Sequence, residues 1–348
     1  MAKPAHAPET FEPAVLRRVS NAALRRALLA WYATHRRDLP WRHDRDPYRV
    51  WVSEIMLQQT RVAAVLEHYR RFLEAFPTIA ALASAPVDRV LALWSGLGYY
   101  RRARLLHQAA RQVCSELGGE IPHTAATLRE LPGVGRYTAA AVASIAHGEP
   151  VAVVDGNVER VLSRLDGAAR SGAALWLRAQ ELLDPRHPGD WNQAIMELGA
   201  TVCTVQSPQC PVCPLRPWCR TLGAGPRQPQ PARKRLSTTR ALIQHAHRIY
   251  LVQRPADVAK MAGMWELPEL TASAAEPPPE AVLCTVRHSI TDTDYRVRVL
   301  RLPLKLLPPA GKRAGRWVPC DQIFALPLTG LTRKILHKLG FPAASGGR

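Results

Sequence analysis

The chain has 348 residues, of which 47% are hydrophobic, and this length and content predict two domains with real cores. Lysine and arginine number 47 against 28 acidic residues, and the net charge of +19 favours a nucleic acid as partner over an anionic membrane surface. No apolar segment approaches the roughly 18 residues of a membrane span, and the N-terminus lacks the apolar core of a secretory signal, so a cytosolic protein is expected.

The first part of the chain predicts helices almost throughout, with hardly any strand alternation. Apolar residues recur at helical spacing in several segments, and one segment starts with proline, as helices often do. These predicted helices cover residues 14–35, 60–76, 86–97, 100–117, 157–167 and 191–203.

A single carboxylate, Glu54, lies inside the apolar run VWVSEIMLQQT. In a helix, Val50 and Trp51 lie one turn before it and Leu57 one turn after it. Such a glutamate is either solvated at the edge of a core helix or buried. Because burial disfavours the charged form of a carboxyl, a buried Glu54 would hold a proton that it can donate near neutral pH.

A glycine pair follows in LPGVGRYTAAAVAS, between a short helix that ends at Pro132 and a helix expected to begin with Thr138. Gly133 and Gly135 allow a tight hairpin there. Exposed N–H groups at the start of a helix bind phosphate without reading sequence. An ordinary connection between two helices is the alternative interpretation.

A second carboxylate, Asp155, stands between an apolar run and an amphipathic helix. Aspartate is favoured at this capping position, where it accepts N–H bonds from the first helical turn. A capping role is compatible with catalysis, because the positive end of the helix dipole keeps such a carboxylate ionised. The sequence thus offers one carboxyl suited to be an acid and one suited to be an anion.

Four cysteines form the pattern C-x6-C-x2-C-x5-C within 17 residues. In a reducing compartment, such spacing indicates a metal site rather than disulfides. Four thiolates suit tetrahedral zinc or a [4Fe–4S] cluster, and the spacing alone leaves both open. The predicted ligands are Cys203, Cys210, Cys213 and Cys219.

The composition changes after the cysteine cluster. Residues 223–238 are rich in Pro, Gly and basic residues and predict a linker, and the segments beyond it predict strands and a closing helix. The expected organisation is a flexible N-terminus, a helical domain with the cysteine cluster at 203–219, the linker, a smaller α+β domain and a flexible tail. Their respective ranges are 1–13, 14–222, 223–238, 239–342 and 343–348.

Six motifs occur in one order along the chain: LPWR, DPYRVWVSEIMLQQT, WSGLGYYRRARLLHQAA, LPGVGRYTAAAVASIA, VVDGNVERVLSRL and the cysteine pattern. Together they closely resemble the adenine DNA glycosylase (MutY) family of the helix-hairpin-helix superfamily, which includes endonuclease III. The resemblance is dense over about residues 20–220 and weaker to about 340. It implies a mainly α, two-lobed glycosylase domain with a [4Fe–4S] cluster loop, followed by a smaller α+β Nudix-like domain.

The resemblance implies an enzyme that hydrolyses the glycosidic bond of adenine mispaired with 8-oxoguanine or guanine. Glu54 matches the catalytic glutamate of the family and Asp155 the catalytic aspartate. Tyr137 stands where bifunctional relatives carry the lysine that forms a Schiff base, so a monofunctional glycosylase is expected. Arg42 and Asn157 match positions near the site.

The same resemblance implies how the DNA is held. Flipping the adenine out of the stack leaves a gap. Gln59 matches a residue inserted into the duplex, and Tyr99, or alternatively Tyr100, matches the wedge beside 8-oxoguanine. The hairpin with Gly133 and Gly135 would bind the backbone.

The C-terminal domain departs from the family pattern. The family reads 8-oxoguanine through a Phe-Ser-His loop, and here Ile290, Thr291 and Asp292 align with it. Aspartate in place of histidine removes a donor and adds repulsion near DNA, so lesion discrimination is in question. The alternatives are a simple charged hairpin, or recognition through Arg287, His288 or Arg296.

Other functions remain open at this point. The cysteine cluster, hairpin and charge would equally serve a non-catalytic iron–sulfur regulator that binds DNA, or a zinc-bound nucleic-acid module. A bifunctional endonuclease III-like enzyme is the nearest enzymatic alternative. The expected partner is double-stranded DNA with an A:8-oxoguanine or A:G mismatch, met by a monomer in the cytoplasm, associated with a bacterial nucleoid.

Overall fold

A computed structural model describes residues 21–223, 233–255, 257–258, 261–270, 281–290, 292–304 and 315–341. The chain forms two compact units, and each is assembled from two separate stretches. The first unit takes its described residues from 21–37 and 152–223. The second unit takes them from 38–151 and from 233 onward.

Helices make up most of the chain before residue 204. In chain order, the helices of the described residues are α1 (Asn21–His35), α2 (Pro47–Leu57), α3 (Val62–Ala75), α4 (Ile79–Ser84), α5 (Val87–Trp94), α6 (Arg101–Glu116), α7 (Ala125–Leu128), α8 (Arg136–Ala146), α9 (Gly156–Asp166), α10 (Gly172–Leu182), α11 (Pro188–Thr201) and α12 (Gly330–Lys338). Within this part of the chain, no helix is long and apolar enough to cross a membrane.

The described part of the first unit is helical. Helices α1 and α9 both pack on α11, and α10 packs on α9. Two 3₁₀ turns, Cys210–Val212 and Arg216–Trp218, shape the cysteine loop that follows α11. Helix α9 ends at Gly167, whose φ of 68° is the left-handed conformation that glycine adopts without strain.

The helical part of the second unit surrounds α2. This helix packs against α3, α6 and α8, and Trp51 on α2 is fully buried. Phe72 of α3 and Trp94 of α5 are also fully buried, and their rings meet edge-on at 5.9 Å. Aromatic burial of this kind contributes much of the stability of a core, so α2 is held firmly.

The rest of the second unit is a two-sheet α+β fold. Its strands are β1 (Lys234–Leu242), β2 (Gln244–His245), β3 (Arg248–Gln253), β4 (Trp265–Glu266), β5 (Glu269–Leu270), β6 (Val282–Ile290), β7 (Thr293–Arg301) and β8 (Gly315–Pro319). One sheet has the order β5-β1-β7-β6, with β1 and β7 parallel. In the other, β3 pairs with β2, β4 and β8. Helix α12 covers one face of the first sheet.

The predicted helices are found, with shifted boundaries. Helix α1 is described from Asn21, and residues 14–20 lie outside the described part of the chain. Helix α8 begins at Arg136, two residues before the expected Thr138, because Gly135 already acts as its N-cap.

One strand starts inside the segment predicted as linker 223–238. Strand β1 begins at Lys234, and its first four residues are exposed. Their polar character resembles a linker, and only the long-range parallel pairing with β7, Lys234 against Thr293, makes them a strand.

Candidate active site

The start of helix α2 fixes the direction in which Glu54 points. Asp46 caps this helix, because its Oδ1 accepts hydrogen bonds from the backbone N–H groups of Tyr48 and Arg49 at 2.8 and 3.1 Å. Pro47 takes the first helical position, which it favours. From this start Glu54 faces inward, and it is only 5% exposed.

A hydrogen bond joins Glu54 to the hairpin. The hydroxyl of Tyr137, in the first turn of α8, donates to Glu54 Oε2 at 2.6 Å. Beside it, the Gln58 amide Nε2 donates to Thr138 Oγ1 at 3.1 Å. These contacts fasten the glutamate-bearing helix to the first turn of α8. Arg42, at the end of the 3₁₀ turn Pro40–Arg42, is half-buried in the same unit.

The hairpin between α7 and α8 requires glycine at one of its two glycine positions. Gly133 has a φ of +76°, and a Cβ there would lie 2.6 Å from Leu105 Cβ. Gly135 has a φ of −83°, with open space where a Cβ would be. The close packing of the hairpin on α6 therefore depends on Gly133.

Arg102 caps the end of α2, a role that its surroundings in the sequence do not reveal. Its Nη1 donates to the carbonyl oxygens of Ile55 and Gln58 at 2.5 and 2.6 Å. Such a cation suits the negative end of a helix dipole. Burial lowers the pKa of Arg102 to about 10. The guanidinium also lies over the Tyr99 ring, 5.4 Å from its centroid, so it connects α2 to the Tyr99 loop.

A cavity of about 650 Å³ adjoins this end of α2. Gln59, Tyr99 and Gly133, the residues predicted to contact DNA, all line it. Gln59 and Tyr99 have φ values of 55° and 49°, and Met261 in the same wall has 54°. Left-handed backbone at residues other than glycine costs energy and is concentrated at functional sites. The Tyr99 side chain is 46% exposed.

Tyr100 has a different role from Tyr99. It is buried, and its hydroxyl donates to the Leu328 carbonyl oxygen at 3.0 Å. Ser95 Oγ donates to the same oxygen at 3.1 Å and accepts from Arg333 Nε at 2.9 Å. These contacts tie the α5–α6 connection to the start of α12 in the sheet-containing part of the same unit. They hold the two sides of the cavity together.

The β6–β7 hairpin supplies the far wall of the cavity through His288, Ser289 and Ile290. Burial lowers the pKa of His288, and the charge of Lys334 lowers it further, so the environment favours the neutral imidazole. Asp292 at the tip accepts a hydrogen bond from Thr293 Oγ1 at 3.0 Å. Thr291 lies outside the described residues.

Asp155 lies in the first unit, where it caps α9. Its Oδ1 accepts from the backbone N–H groups of Asn157 and Val158 at 2.9 and 2.8 Å, and its Oδ2 accepts from Asn157 Nδ2 at 2.8 Å. Close packing holds Asn157 in place, because a Cβ on Gly199 of α11 would lie 2.6 Å from the Asn157 Cβ. Both carboxylate oxygens of Asp155 are therefore oriented by Asn157.

Two arginines of α9 link this cap to the cysteine loop. Arg160 Nη2 donates to Asn157 Oδ1 at 2.8 Å, and its Nε donates to the Cys203 carbonyl oxygen at 2.8 Å. Arg164 Nη1 donates to Cys203 Sγ at 3.3 Å and to the Thr204 carbonyl oxygen at 2.7 Å. The local sequence gives no signal for the role of either arginine.

The cysteine loop gathers the four predicted ligands, Cys203, Cys210, Cys213 and Cys219, around one cavity. Burial raises the pKa of the Cys213 thiol, and the other three cysteines raise it further. Within the described residues, no group of three or more His, Cys, Asp or Glu side chains is arranged to hold one metal ion. The four thiols thus share a cavity without converging on one point, and this all-sulfur donor set fits a group held by thiolates.

The first unit also contains an ion pair between a half-buried arginine and a buried glutamate, which the sequence did not reveal. Arg37 donates from Nε and Nη2 to the two carboxylate oxygens of Glu197, both at 2.7 Å. Glu197 is 1% exposed, and the pair joins the end of the α1 segment to α11. A bidentate geometry of this kind is among the stronger charged contacts.

The structure therefore brings the predicted residues together in groups. Glu54 and Tyr137 are hydrogen-bonded in the second unit, where the predicted DNA contacts Gln59, Tyr99 and Gly133 line one cavity. Asp155 and Asn157 are hydrogen-bonded in the first unit, which also carries the four cysteines. Gly135 does not line the cavity.

The chain is similar to known DNA repair proteins in sequence and in structure. Residues 52–181 match the family model described as HhH-GPD superfamily base excision DNA repair protein. The chain is 31% identical to a thermostable thymine-DNA glycosylase, with a TM-score of 0.55 over 58% of this chain and 96% of that one. A trapped endonuclease III–DNA covalent intermediate is 26% identical, with a TM-score of 0.51 over 59% and 97%.

Curated relatives that carry the name adenine DNA glycosylase include those of a rodent, of human and of a plant. The protein of Rattus norvegicus is 53% identical over 213 residues, which cover 57% of this chain and 41% of the relative. That of Homo sapiens is 44% identical over 320 residues, or 73% and 58%. That of Arabidopsis thaliana is 38% identical over 378 residues, or 93% and 58%.

The chain thus spans between 41% and 58% of the length of these three relatives. The expected family is confirmed, and so is the coarse fold of a helical glycosylase domain followed by an α+β domain. This chain is a member of the HhH-GPD superfamily of base excision DNA repair proteins and, within it, of the adenine DNA glycosylase family.

Proposed function

We propose that this chain is a monofunctional DNA glycosylase that hydrolyses the N-glycosidic bond of adenine mispaired with 8-oxoguanine or guanine. The observation that carries the proposal is the buried Glu54 with its hydrogen bond from Tyr137, in a chain of this family. A glycosylase must give the departing base a proton, and a shielded carboxyl is suited to that task.

The first step is extrusion of the adenine, since a side chain cannot reach the base inside a duplex. Glu54 then donates its proton to adenine N7, which turns the base into a leaving group. Burial favours the protonated form of Glu54 before this transfer. After the transfer the Tyr137 hydroxyl stabilises the carboxylate, which helps a water molecule attack the sugar. Arg42 helps to orient the groups that react at this site.

Asp155 stabilises the positive charge that develops on the sugar as the base leaves. The transition state has oxocarbenium character, as in glycoside hydrolysis. The carboxylate of Asp155 receives three hydrogen bonds at the start of α9, and these bonds hold its two oxygens in place. Asn157 sets the orientation of the carboxylate plane.

The absence of lyase activity follows from the residue at position 137. A bifunctional glycosylase needs a lysine amine that attacks the sugar and forms a Schiff base. Tyrosine has no amine, and the Tyr137 hydroxyl is already hydrogen-bonded to Glu54. We therefore prefer a hydrolytic enzyme over the endonuclease III-like alternative, and an intact DNA strand after incubation without alkali or heat is the expected result.

The base opposite the adenine is read in the cavity of about 650 Å³. Gln59 fills the gap left by the flipped base, and Tyr99 is the wedge beside 8-oxoguanine. Asp292 lacks the donor that a histidine would supply, and Thr291 lies outside the described residues. Neutral His288 keeps one donor and one acceptor in the cavity wall, and we assign lesion discrimination to it.

Cys203, Cys210, Cys213 and Cys219 hold a [4Fe–4S] cluster in this proposal, rather than zinc. The donor set is all sulfur, as such clusters require. These four cysteines would hold the cluster in the loop after α11, to which Arg160 and Arg164 donate hydrogen bonds. Brown colour and visible absorbance of the purified protein test this assignment, and a colourless protein containing zinc would refute it.

The remaining expectations concern partners and location. A monomer acting on mismatched duplex DNA agrees with the net charge of +19. A cytoplasmic, nucleoid-associated bacterial location and a Nudix-like origin of the second domain stay predictions. A non-catalytic iron–sulfur regulator is the competing function, and it would bind the duplex without releasing adenine.

Glu54→Gln tests the mechanism. This variant should bind duplexes with adenine opposite 8-oxoguanine and release no adenine, while Glu67→Gln on the exposed face of α3 keeps normal release. Single-turnover release is measured with 8-oxoguanine, guanine or thymine opposite the adenine, at two salt concentrations, because affinity depends on salt. Normal excision by Glu54→Gln would refute the mechanism, and no excision by the wild type would refute the function.

A further inference from the structure

One face of the β6–β7 hairpin carries arginines in a regular arrangement. Arg287 on β6 lies directly opposite Arg296 on β7, while the neighbouring pair Val286 and Val297 lies in the core. Side chains alternate along a strand, so the two arginines share the face that points away from this core. Arg298, two residues further along β7, follows on the same face.

This arrangement is unfavourable for the isolated protein. Two like charges directly opposite each other on neighbouring strands destabilise a sheet. Arg287 and Arg296 are both exposed, and among the described residues neither has an ion-pair partner. The nearest acid on this face, Asp294, is engaged by Arg233 Nε at 2.9 Å and by Ser289 Oγ at 2.6 Å.

The face of the β6–β7 hairpin that carries Arg287 and Arg296 lies next to the cavity, because the same hairpin forms part of the cavity wall. Ser289 and Ile290 line the cavity, and Arg287 lies three residues before Ile290. A strand rises about 3.3 Å per residue, so these positions are about 10 Å apart. Phosphates of one DNA strand follow at about 3.4 Å along the axis, so about three of them span the same distance.

We propose that Arg287 and Arg296 form a phosphate-binding site for the DNA strand that carries the base opposite the adenine. The inference rests on the proposed function, because that function brings the opposite base into the cavity. Phosphate oxygens would neutralise the cross-strand charge pair and receive the planar guanidinium donors. Such contacts position the strand and do not read its sequence. His288, on the opposite face of β6, is left to read the base.

The test is the salt dependence of duplex binding by Arg287→Ala/Arg296→Ala. Both this variant and its control carry Glu54→Gln, so that binding is measured without turnover. The control is Arg248→Ala/Arg301→Ala, which removes two exposed arginines elsewhere on the same domain. Thermal unfolding checks that both proteins are folded, and Arg287→Gln/Arg296→Gln repeats the measurement if the alanine variant is not folded.

Each lost phosphate contact lowers the salt slope by about 0.9, so the double variant should lose about 1.8. Between about 50 and about 200 mM salt, its affinity should therefore fall about 12-fold less than that of the parent. The control should keep the parental slope. The loss of affinity should be equal with 8-oxoguanine, guanine or thymine opposite the adenine.

An unchanged salt slope in the 287/296 variant would overturn the proposal, and so would an equal change in the control. A loss confined to duplexes with 8-oxoguanine would also overturn it, because the arginines would then read the base. Adenine release by the wild type is measured in parallel. Failure of that release would refute the proposed function, while the salt slopes would still report whether these arginines bind DNA.

Discussion

The hydrogen bond between Tyr137 and Glu54 should set the pH range of excision. The O···O distance of 2.6 Å lies in the range of hydrogen bonds to a charged oxygen, and Glu54 is only 5% exposed. A bond of this kind contributes about 1.5–3 kcal/mol. Tyr137→Phe removes it and leaves the ring, so the protonated form of Glu54 should persist to higher pH.

The magnitude follows from that energy. Since one pH unit corresponds to about 1.4 kcal/mol, the alkaline limb of the pH–rate profile should move upward by about one to two units. The assay is single-turnover adenine release at saturating enzyme, measured across the profile. At neutral pH the second half of the reaction should slow, because the Glu54 carboxylate loses its donor.

Tyr48→Phe is the matched control. The Tyr48 hydroxyl donates to the Phe76 carbonyl oxygen at 2.9 Å, is buried, and does not contact Glu54. This variant should lose similar stability without moving the profile. The reasoning would be refuted by an unmoved or downward-shifted limb in Tyr137→Phe, or by an equal shift in Tyr48→Phe.

Three further predictions concern the rest of the chain. Arg37→Ala should lower the free energy of unfolding by about 2–3 kcal/mol in denaturant titration, since it removes two charged hydrogen bonds from the buried carboxylate of Glu197, and adding Glu197→Gln should recover part of this loss. Asn157→Ala should slow excision by about 10- to 100-fold with unchanged duplex affinity, because the Asp155 carboxylate can then rotate. Equal losses of excision rate and of duplex affinity would contradict this prediction. Burial lowers the pKa of His107, so the folded state prefers the neutral ring, and the free energy of unfolding should fall as pH drops below about 6.5. His107→Gln should make this fall smaller in thermal unfolding measured across pH. An unchanged pH dependence in this variant would contradict the prediction.

Local chemistry in the sequence predicts much of the site. The residue type of Asp155 at a helix start predicts its N-cap, and helical spacing puts Glu54 among apolar neighbours but leaves a buried and a solvated position both open. Gly133 is found in the close approach that its lack of a Cβ permits. Each of these depends on neighbours within a few residues.

Contacts between distant parts of the chain could not be predicted in this way. Arg102 appears in the sequence as one of several arginines in a basic helix, and only the folded chain brings it to the end of α2. Strand β1 looks like linker until β7 pairs with it, 59 residues later at Lys234 and Thr293. Arg37 and Glu197, 160 positions apart, carry no local signal that they form a pair.

The assembly of the first unit from two stretches also affects how the chain folds during synthesis. Arg25 of α1 donates to the Leu182 carbonyl oxygen at 3.0 Å, across 157 positions of sequence. At about 5–20 residues per second, a ribosome needs roughly 8–30 s to supply that partner after α1 emerges. Until then the described residues of the unit that cover the apolar side of α1, with Leu24 and Leu28, have not been synthesised, because they lie at 152–223. Nascent-chain chaperones therefore have a long interval in which to bind this first helix.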